Sequence, residues 1–452
     1  MFGRFTDMRA VIKLALISSL AGLACGKADA RCSTFTASTM HDAGVTPVAK
    51  WRTDYPSSSS ASAPTWSTIS FATEPERYMA AIFETVRPHF RYMNDRLEGT
   101  GAEPWWMSEW MDYEKFGREP LMGLTKELAP RSRQLSKTSE RGSQVWAVNF
   151  YNQPGAVVLG SVFADPCSPT VPAKLEFAEG TVAIKFLFTD ANLDRFAGQV
   201  AYLDGAPVYK AHIDPEGTFF PAPVTGRETR KVNLLQLDIG VRDSNANKTG
   251  WVFGTFVWMG PPRGDGVFDN LVPAVLLWAN DEGVVTDEIT ESWINPAIEA
   301  QLSGWTERPF LGFQGRANGP ADNLNSSCLS CHAAARLPLA AVGIARPGSN
   351  PVDLTDDAAI ASHVELWFKD VGPGEAFEPT NPAAVATLDY SLQVRAAIER
   401  MCFACKDGAM TGVAPTICAQ ADYFGGAMCA VNTKGAILEI QEARDEIPLP
   451  RE

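Results

Sequence analysis

From residue 143 to residue 280 the chain is written largely in period two. Six runs carry the pattern: "VWAVNFYN" (145–152), "AVVLGSVF" (156–163), "TVAIKFLF" (181–188), "NLLQLDIGVRD" (233–243), "GWVFGTFVWMG" (250–260) and "VPAVLLW" (272–278). β-Branched and aromatic residues fill them, and Asp, Asn, Gly and Pro clusters separate them, which is how strands joined by short turns read. The alternation is clearest where Leu235, Leu237, Ile239 and Val241 take one face and Gln236, Asp238, Gly240 and Arg242 the other. Connections this short predict an antiparallel sheet. Helical periodicity is expected on both sides of it. "TEPERYMAAIFETVRPHFRYMNDRLE" (73–98) reads as a helix with Pro88 as a kink or break, and "PWWMSEWMDYEKF" (104–116) as a second one with an aromatic face. Trp105, Trp106 and Trp110 are packing residues there rather than a ligand box. "TDEITESWINPAIEAQLSGW" (286–305) returns to helix, and two more helices are expected near 355–370 and 384–401. The expected class is α+β.

The chain has 452 residues, 45% of them hydrophobic, which is enough to build a real core. Its net charge of -14 argues against nucleic acid and anionic membrane surfaces. It suits solubility or a basic protein partner. Arg4, Arg9 and Lys13 accompany the apolar stretch "VIKLALISSLAGLAC", and Ala28-Asp29-Ala30 is a small-x-small cleavage site. Residues 1–30 therefore read as a signal peptide, with Met8 as an alternative start. Lipidation at Cys25 is the lesser alternative, because Gly22 stands where such a site wants an aliphatic residue. No later segment is apolar enough to span a bilayer. The expected location is the periplasm or another oxidising space. The expected division is a mobile segment over 31–72, a helical region over 73–142, a sheet domain over 143–340 and a helical, Cys-rich extension over 341–452.

The most specific motif is "NSSCLSCHAAAR" (325–336). In an exported protein, Cys-x-x-Cys-His is the attachment site of one covalent c-type haem. Cys328 and Cys331, one helical turn apart, would bond the two vinyl groups, and His332 would supply the axial nitrogen to the iron. With 9 Cys and 5 His in the chain, roughly 0.002 such motifs arise by chance. A zinc site would need two further ligands. A redox disulfide would want a βαβ pattern, which is lacking. His363, Met401, Met410 and Met428 are the downstream candidates for a sixth ligand, Met410 the best of them.

Sheet, "GW-x-F" strand, loop and then haem motif is an order that resembles the lysine-cross-linked, hydroxylamine-oxidising cytochromes of the P-460 type and their nitric-oxide-binding relative, cytochrome c-prime-beta. The likeness spans roughly residues 143–335. It rests on "EGTVAIKFLFTD", "LDIGVRDSNANKTGWVFGTFVW" and "CLSCH". The resemblance implies a mostly antiparallel haem domain. It also implies that Lys185, in the strand matching that of the cross-linking lysine, and Asp238, before "IGVRDS", face the pocket. Asp238 would then handle protons from a nitrogen substrate, and Lys185 would lower its pKa by charge. The bland alternative makes both ordinary solvent-side residues of half-buried strands.

"MCFACKDG" repeats the Cys-x-x-Cys spacing at Cys402 and Cys405, with Lys406 in place of histidine. Disulfides among Cys402, Cys405, Cys418 and Cys429 are the simplest account, ahead of a second haem or a metal site. Cys32 and Cys167 are left as a pair by elimination. The expectation is an exported haem protein that binds or oxidises a small nitrogen species at a five-coordinate iron and passes electrons to a redox partner protein. The alternative is a plain electron-transfer cytochrome whose iron is closed by Met or His.

Overall fold

The computed structural model describes residues 54–398, excluding 60–63, 94–95, 100–104, 109–122, 128, 165–168, 214–227, 262–263, 265, 267, 287, 307–311, 338–354, 376 and 378–385. Residues 1–30, expected to be a signal peptide, and Cys25, Cys32, Cys167, Met401, Met410, Met428 and the cysteines of 402–429 lie outside the described residues.

In chain order the elements are helix α1 (Pro75–Val86), strands β1 (Phe90–Met93), β2 (Arg96–Gly99), β3 (Trp105–Met107), β4 (Thr125–Lys126) and β5 (Val145–Asn152), helix α2 (Gln153–Val162), and strands β6 (Val182–Thr189), β7 (Val208–Ile213), β8 (Glu228–Arg242), β9 (Trp251–Trp258), β10 (Leu271–Leu277) and β11 (Ser292–Ile294). Helices α3 (Pro296–Leu302) and α4 (Cys328–His332), strand β12 (Arg336–Leu337), helix α5 (Asp357–Trp367) and strand β13 (Ala386–Thr387) follow. The core is a nine-stranded antiparallel sheet in the order β11-β10-β9-β8-β6-β5-β3, with β4 also on β5 and β7 also on β8. Helices are few around it, and the α+β class holds. Among the described residues no helix is long and apolar enough to cross a membrane.

One sheet face is apolar. Ile184 and Phe186 of β6, Leu237, Ile239 and Val241 of β8, and Phe256 of β9 are all buried. Helix α1 covers it, turning Tyr78, Met79, Ile82, Phe83 and Val86 inward at helical spacing. The Phe83 ring stacks on Phe256 at 4.9 Å. Each such side chain contributes about 1.5–3 kcal/mol by leaving water.

Several elements differ from the sequence expectation. The first helix stops at Val86, and Phe90–Met93 pairs with Arg96–Gly99 as antiparallel strands instead. Pro88 lacks the N–H that a continuing helix needs. Trp105–Met107 is a buried strand on β5 rather than part of a helix, and its tryptophans do pack. "AVVLGSV" is helical, because Asn152 caps it and Pro154 sits in its first turn; a short apolar run does not by itself separate helix from strand. Among the described residues of 286–305 only Pro296–Leu302 is helical, behind the cap Asn295. The last helix begins at 392, after β13 has paired with β12. Strand β7 was not expected. Trp66, Ile69 and Phe71, assigned to a mobile lead-in, are buried in the core.

Candidate functional site

Helix α4 is held from below. Its cap Ser327 accepts the Ser330 N–H at 2.9 Å, and Ser330 Oγ accepts the Ser327 N–H at 2.8 Å, a closed capping box. Ser327 Oγ donates to Asn280 Oδ1 at 2.6 Å. Buried Asn280 is itself fixed: its N–H donates to Asp370 at 2.7 Å and its carbonyl accepts from Arg316 Nε at 2.7 Å. Arg316, with no exposed surface, also donates to the carbonyls of Asp281 and Val284 and lies over the Phe368 ring at 4.4 Å. Burial pushes its guanidinium down to about 10, against the pull of Asp281, Asp370 and Glu291.

Helix α4 and the loop before it cover the second, more polar sheet face. There Asn149 of β5, Lys185 of β6, Asp238 of β8 and Thr255 of β9 stand in one cross-strand row. Gln236 Nε2 and Thr255 Oγ1 both donate to Asp238 Oδ1, at 2.7 and 2.8 Å. Oδ2 is left toward Lys185 Nζ, 3.9 Å away, and Nζ is also 3.9 Å from Glu127. Asp322 approaches from the loop, its carboxylate accepting the Gly319 N–H at 3.0 Å and lying 3.5 Å from Gln236 Nε2.

One cavity gathers these groups with the haem motif. Glu127, Lys185, Asp238, Thr255, Asp322, Cys328, Cys331 and His332 all line it. The cavity volume is about 120 Å³. That is below the roughly 300–1,000 Å³ of pockets that engulf larger ligands, so a macrocycle would have to lie largely outside it.

The donor set fits a c-type haem. Both thiols lie on one turn of helix and reach the same cavity. His332 Nδ1 is 2.8 Å from the Tyr390 carbonyl. A carbonyl only accepts, so Nδ1 carries the proton and Nε2 keeps its lone pair, as a metal-ligating imidazole requires. Burial pushes the imidazole down to about 4, which keeps it neutral. Its ring packs on Phe253 at 4.5 Å, and Gly240 leaves the space that the Phe253 ring occupies. Burial pushes both thiols up, Cys331 to about 12, unlike the acidic attacking thiol of a redox Cys-x-x-Cys.

Lys185 and Asp238 are each only about one-fifth exposed, within the cleft. Burial raises Asp238 most, Asp322 raises it further, and Lys185 with the two hydrogen bonds only partly offsets them; the carboxyl settles at about 7. Lys185 does act to lower it, as expected from its charge, but burial and Asp322 outweigh it. Burial alone would lower Lys185, yet Glu127, Asp238 and Asp322 together carry it upward.

Comparison with family models, with curated proteins and with solved structures finds no match. The likeness to P-460 cytochromes therefore stands on the motifs quoted above. His363 is buried between Phe313 and Phe368 and does not line the cavity. Glu127, Gln236, Thr255, Asp322, Phe253 and Tyr390 were not foreseen. Alternation along β8 and β9 could have found Gln236, Phe253 and Thr255; Glu127, Asp322 and Tyr390 carry no such signal.

Proposed function

We propose that the protein is an exported c-type haem protein that binds or oxidises a small nitrogen species of the hydroxylamine or nitric oxide kind. Cys328 and Cys331 would hold the macrocycle through thioethers and His332 Nε2 would ligate the iron. When bound, that group supplies one-electron chemistry and an iron able to take a small ligand. The observation that carries the reading is the orientation of His332: Nδ1–H is tied to Tyr390, and the ring shares a cavity with two thiols and the Lys185–Asp238 pair. Asp238 is suited to accept a proton at neutral pH, because its carboxyl sits near 7. Oδ2 is the oxygen available for it, since Oδ1 already accepts from Gln236 and Thr255. Lys185 would orient the ligand as a donor and balance the charge of the ionised Asp238 before it takes the proton. Electrons would leave to a redox partner protein.

The test is an optical spectrum of the dithionite-reduced protein with and without carbon monoxide, followed by hydroxylamine turnover of K185A and D238A. A spectrum that responds to the gas, and turnover lost in both variants, supports the reading. A sharp low-spin spectrum indifferent to the gas would move the protein to the plain electron-carrier class. Unchanged turnover in both variants would remove Lys185 and Asp238 from the site.

A further inference from the structure

The segment that orients His332 lies beyond the region resembling known cytochromes. Residues 386–398 strap across helix α4: β13 pairs with β12, the Leu388 N–H donates to the Ala335 carbonyl, and Arg395 donates to the Ala334 carbonyl at 3.2 Å. At the centre of the strap the backbone is strained. Asp389 has φ 44° and Tyr390 φ 64°, and neither is glycine. Left-handed backbone in an aromatic residue is disfavoured and persists only where the surroundings enforce it.

The surroundings enforce it through one carboxylate. The Asp389 side chain is wholly shielded from solvent. Its Oδ1 accepts the Trp251 indole N–H at 3.0 Å, and its Oδ2 accepts the Phe177 N–H at 2.7 Å. Arg242 lies 3.9 Å away as counter-charge. Tyr390 is pinned in turn by its hydroxyl, which donates to the Val371 carbonyl at 2.6 Å. What this anchoring delivers is the Tyr390 carbonyl, 2.8 Å from His332 Nδ1. Trp251 also stacks on Phe253, the ring that packs against His332 from the sheet side. One buried carboxylate thus ties together the acceptor for the imidazole and the aromatic wall beside it.

We infer that Asp389 is the positioning residue of His332. It fixes the 389–390 turn so that the Tyr390 carbonyl holds the Nδ1 proton and Nε2 points to its ligand. The inference takes His332 as the iron ligand and so rests on the function proposed above, but its test does not require the haem to be present.

With only five histidines in the chain, selective ¹⁵N-histidine labelling of the full-length protein reads each imidazole separately. The measured quantity is solvent exchange of the His332 Nδ1 proton, in the reduced carbon-monoxide form if a haem spectrum is seen and in the protein as purified if not. Loss of one buried hydrogen bond corresponds to about tenfold faster exchange. D389N and W251F should each accelerate it; W251F removes the indole donor while keeping an aromatic ring against Phe253, and keeps the measurement possible if D389N does not fold. N295A, which removes the buried cap of α3, is the control for destabilisation alone. If D389N or W251F lowers the melting temperature as N295A does but leaves His332 exchange at the wild-type rate, Asp389 is structural only and the inference is overturned. A protein without a haem spectrum would overturn the proposed function instead, whatever the exchange rates.

Discussion

Replacing Asp238 by asparagine should change the sign of its effect with pH. The folded carboxyl sits at about 7 against an ordinary 3.8, so the folded chain binds this proton more tightly than the unfolded chain. Its contribution to stability is fully present below pH 3.8 and is lost as pH rises through 7. A shift of roughly 3 units at 1.36 kcal/mol each sets a ceiling of about 4 kcal/mol on that loss. Asparagine keeps an oxygen for Gln236 and Thr255 and carries no charge to bury. It also deprives Lys185 of one of three carboxylates, which offsets part of the gain. D238N should therefore be about 2 kcal/mol more stable than wild type near pH 8.5 and no more stable near pH 4.5. Urea unfolding at the two pH values, extrapolated to water, measures both. Equal destabilisation at both would refute the reasoning, because it would mean that Asp238 is an ordinary ionised carboxylate stabilised by Lys185.

Three further outcomes follow from the same geometry. S327A opens the capping box and the bond to Asn280, and should cost about 1–2 kcal/mol in urea unfolding; no loss would show that α4 is held by other contacts. G240A places a Cβ 2.9 Å from the Phe253 ring, and so should cost about 1–3 kcal/mol and shift the His332 ring resonances; unshifted resonances would show that Phe253 yields without moving its neighbour. R316M takes the Arg316 donor from the Asn280 and Val284 carbonyls and should cost about 3 kcal/mol, read from the unfolding midpoint; an unchanged midpoint would mean that the loop before α4 contributes nothing to stability.

The parts of the fold legible in the sequence are those where burial on one face writes a strict alternation. Strand β8 is the clearest, and β5, β6, β9 and β10 follow. The pattern fails where something local overrides it. Pro88 ends a helix whose apolar spacing continues past it, and Asn152 with Pro154 starts a helix in a run that also reads as a strand. The cross-strand meeting of Lys185 with Asp238 was legible as a shared polar face, though its net charge was not. Two carboxylates distant in sequence, Glu127 and Asp322, set the balance there, and nothing local announces them. Tyr390 is the same kind of case: it acts on His332 through its carbonyl, which every residue type possesses, so only the path of the chain reveals it.

A haem proposed to sit on Cys328 and Cys331 over His332 would be a covalent group on one short stretch of chain. Trypsin should release residues 317–336, bounded by Arg316 and Arg336, as one peptide. Mass spectrometry of that peptide from the unreduced protein is the most direct measurement. The account predicts a peptide carrying the mass of one haem, with the haem's visible absorption and no thiol open to alkylation. A peptide with two alkylatable thiols, or with a Cys328–Cys331 disulfide, would contradict it.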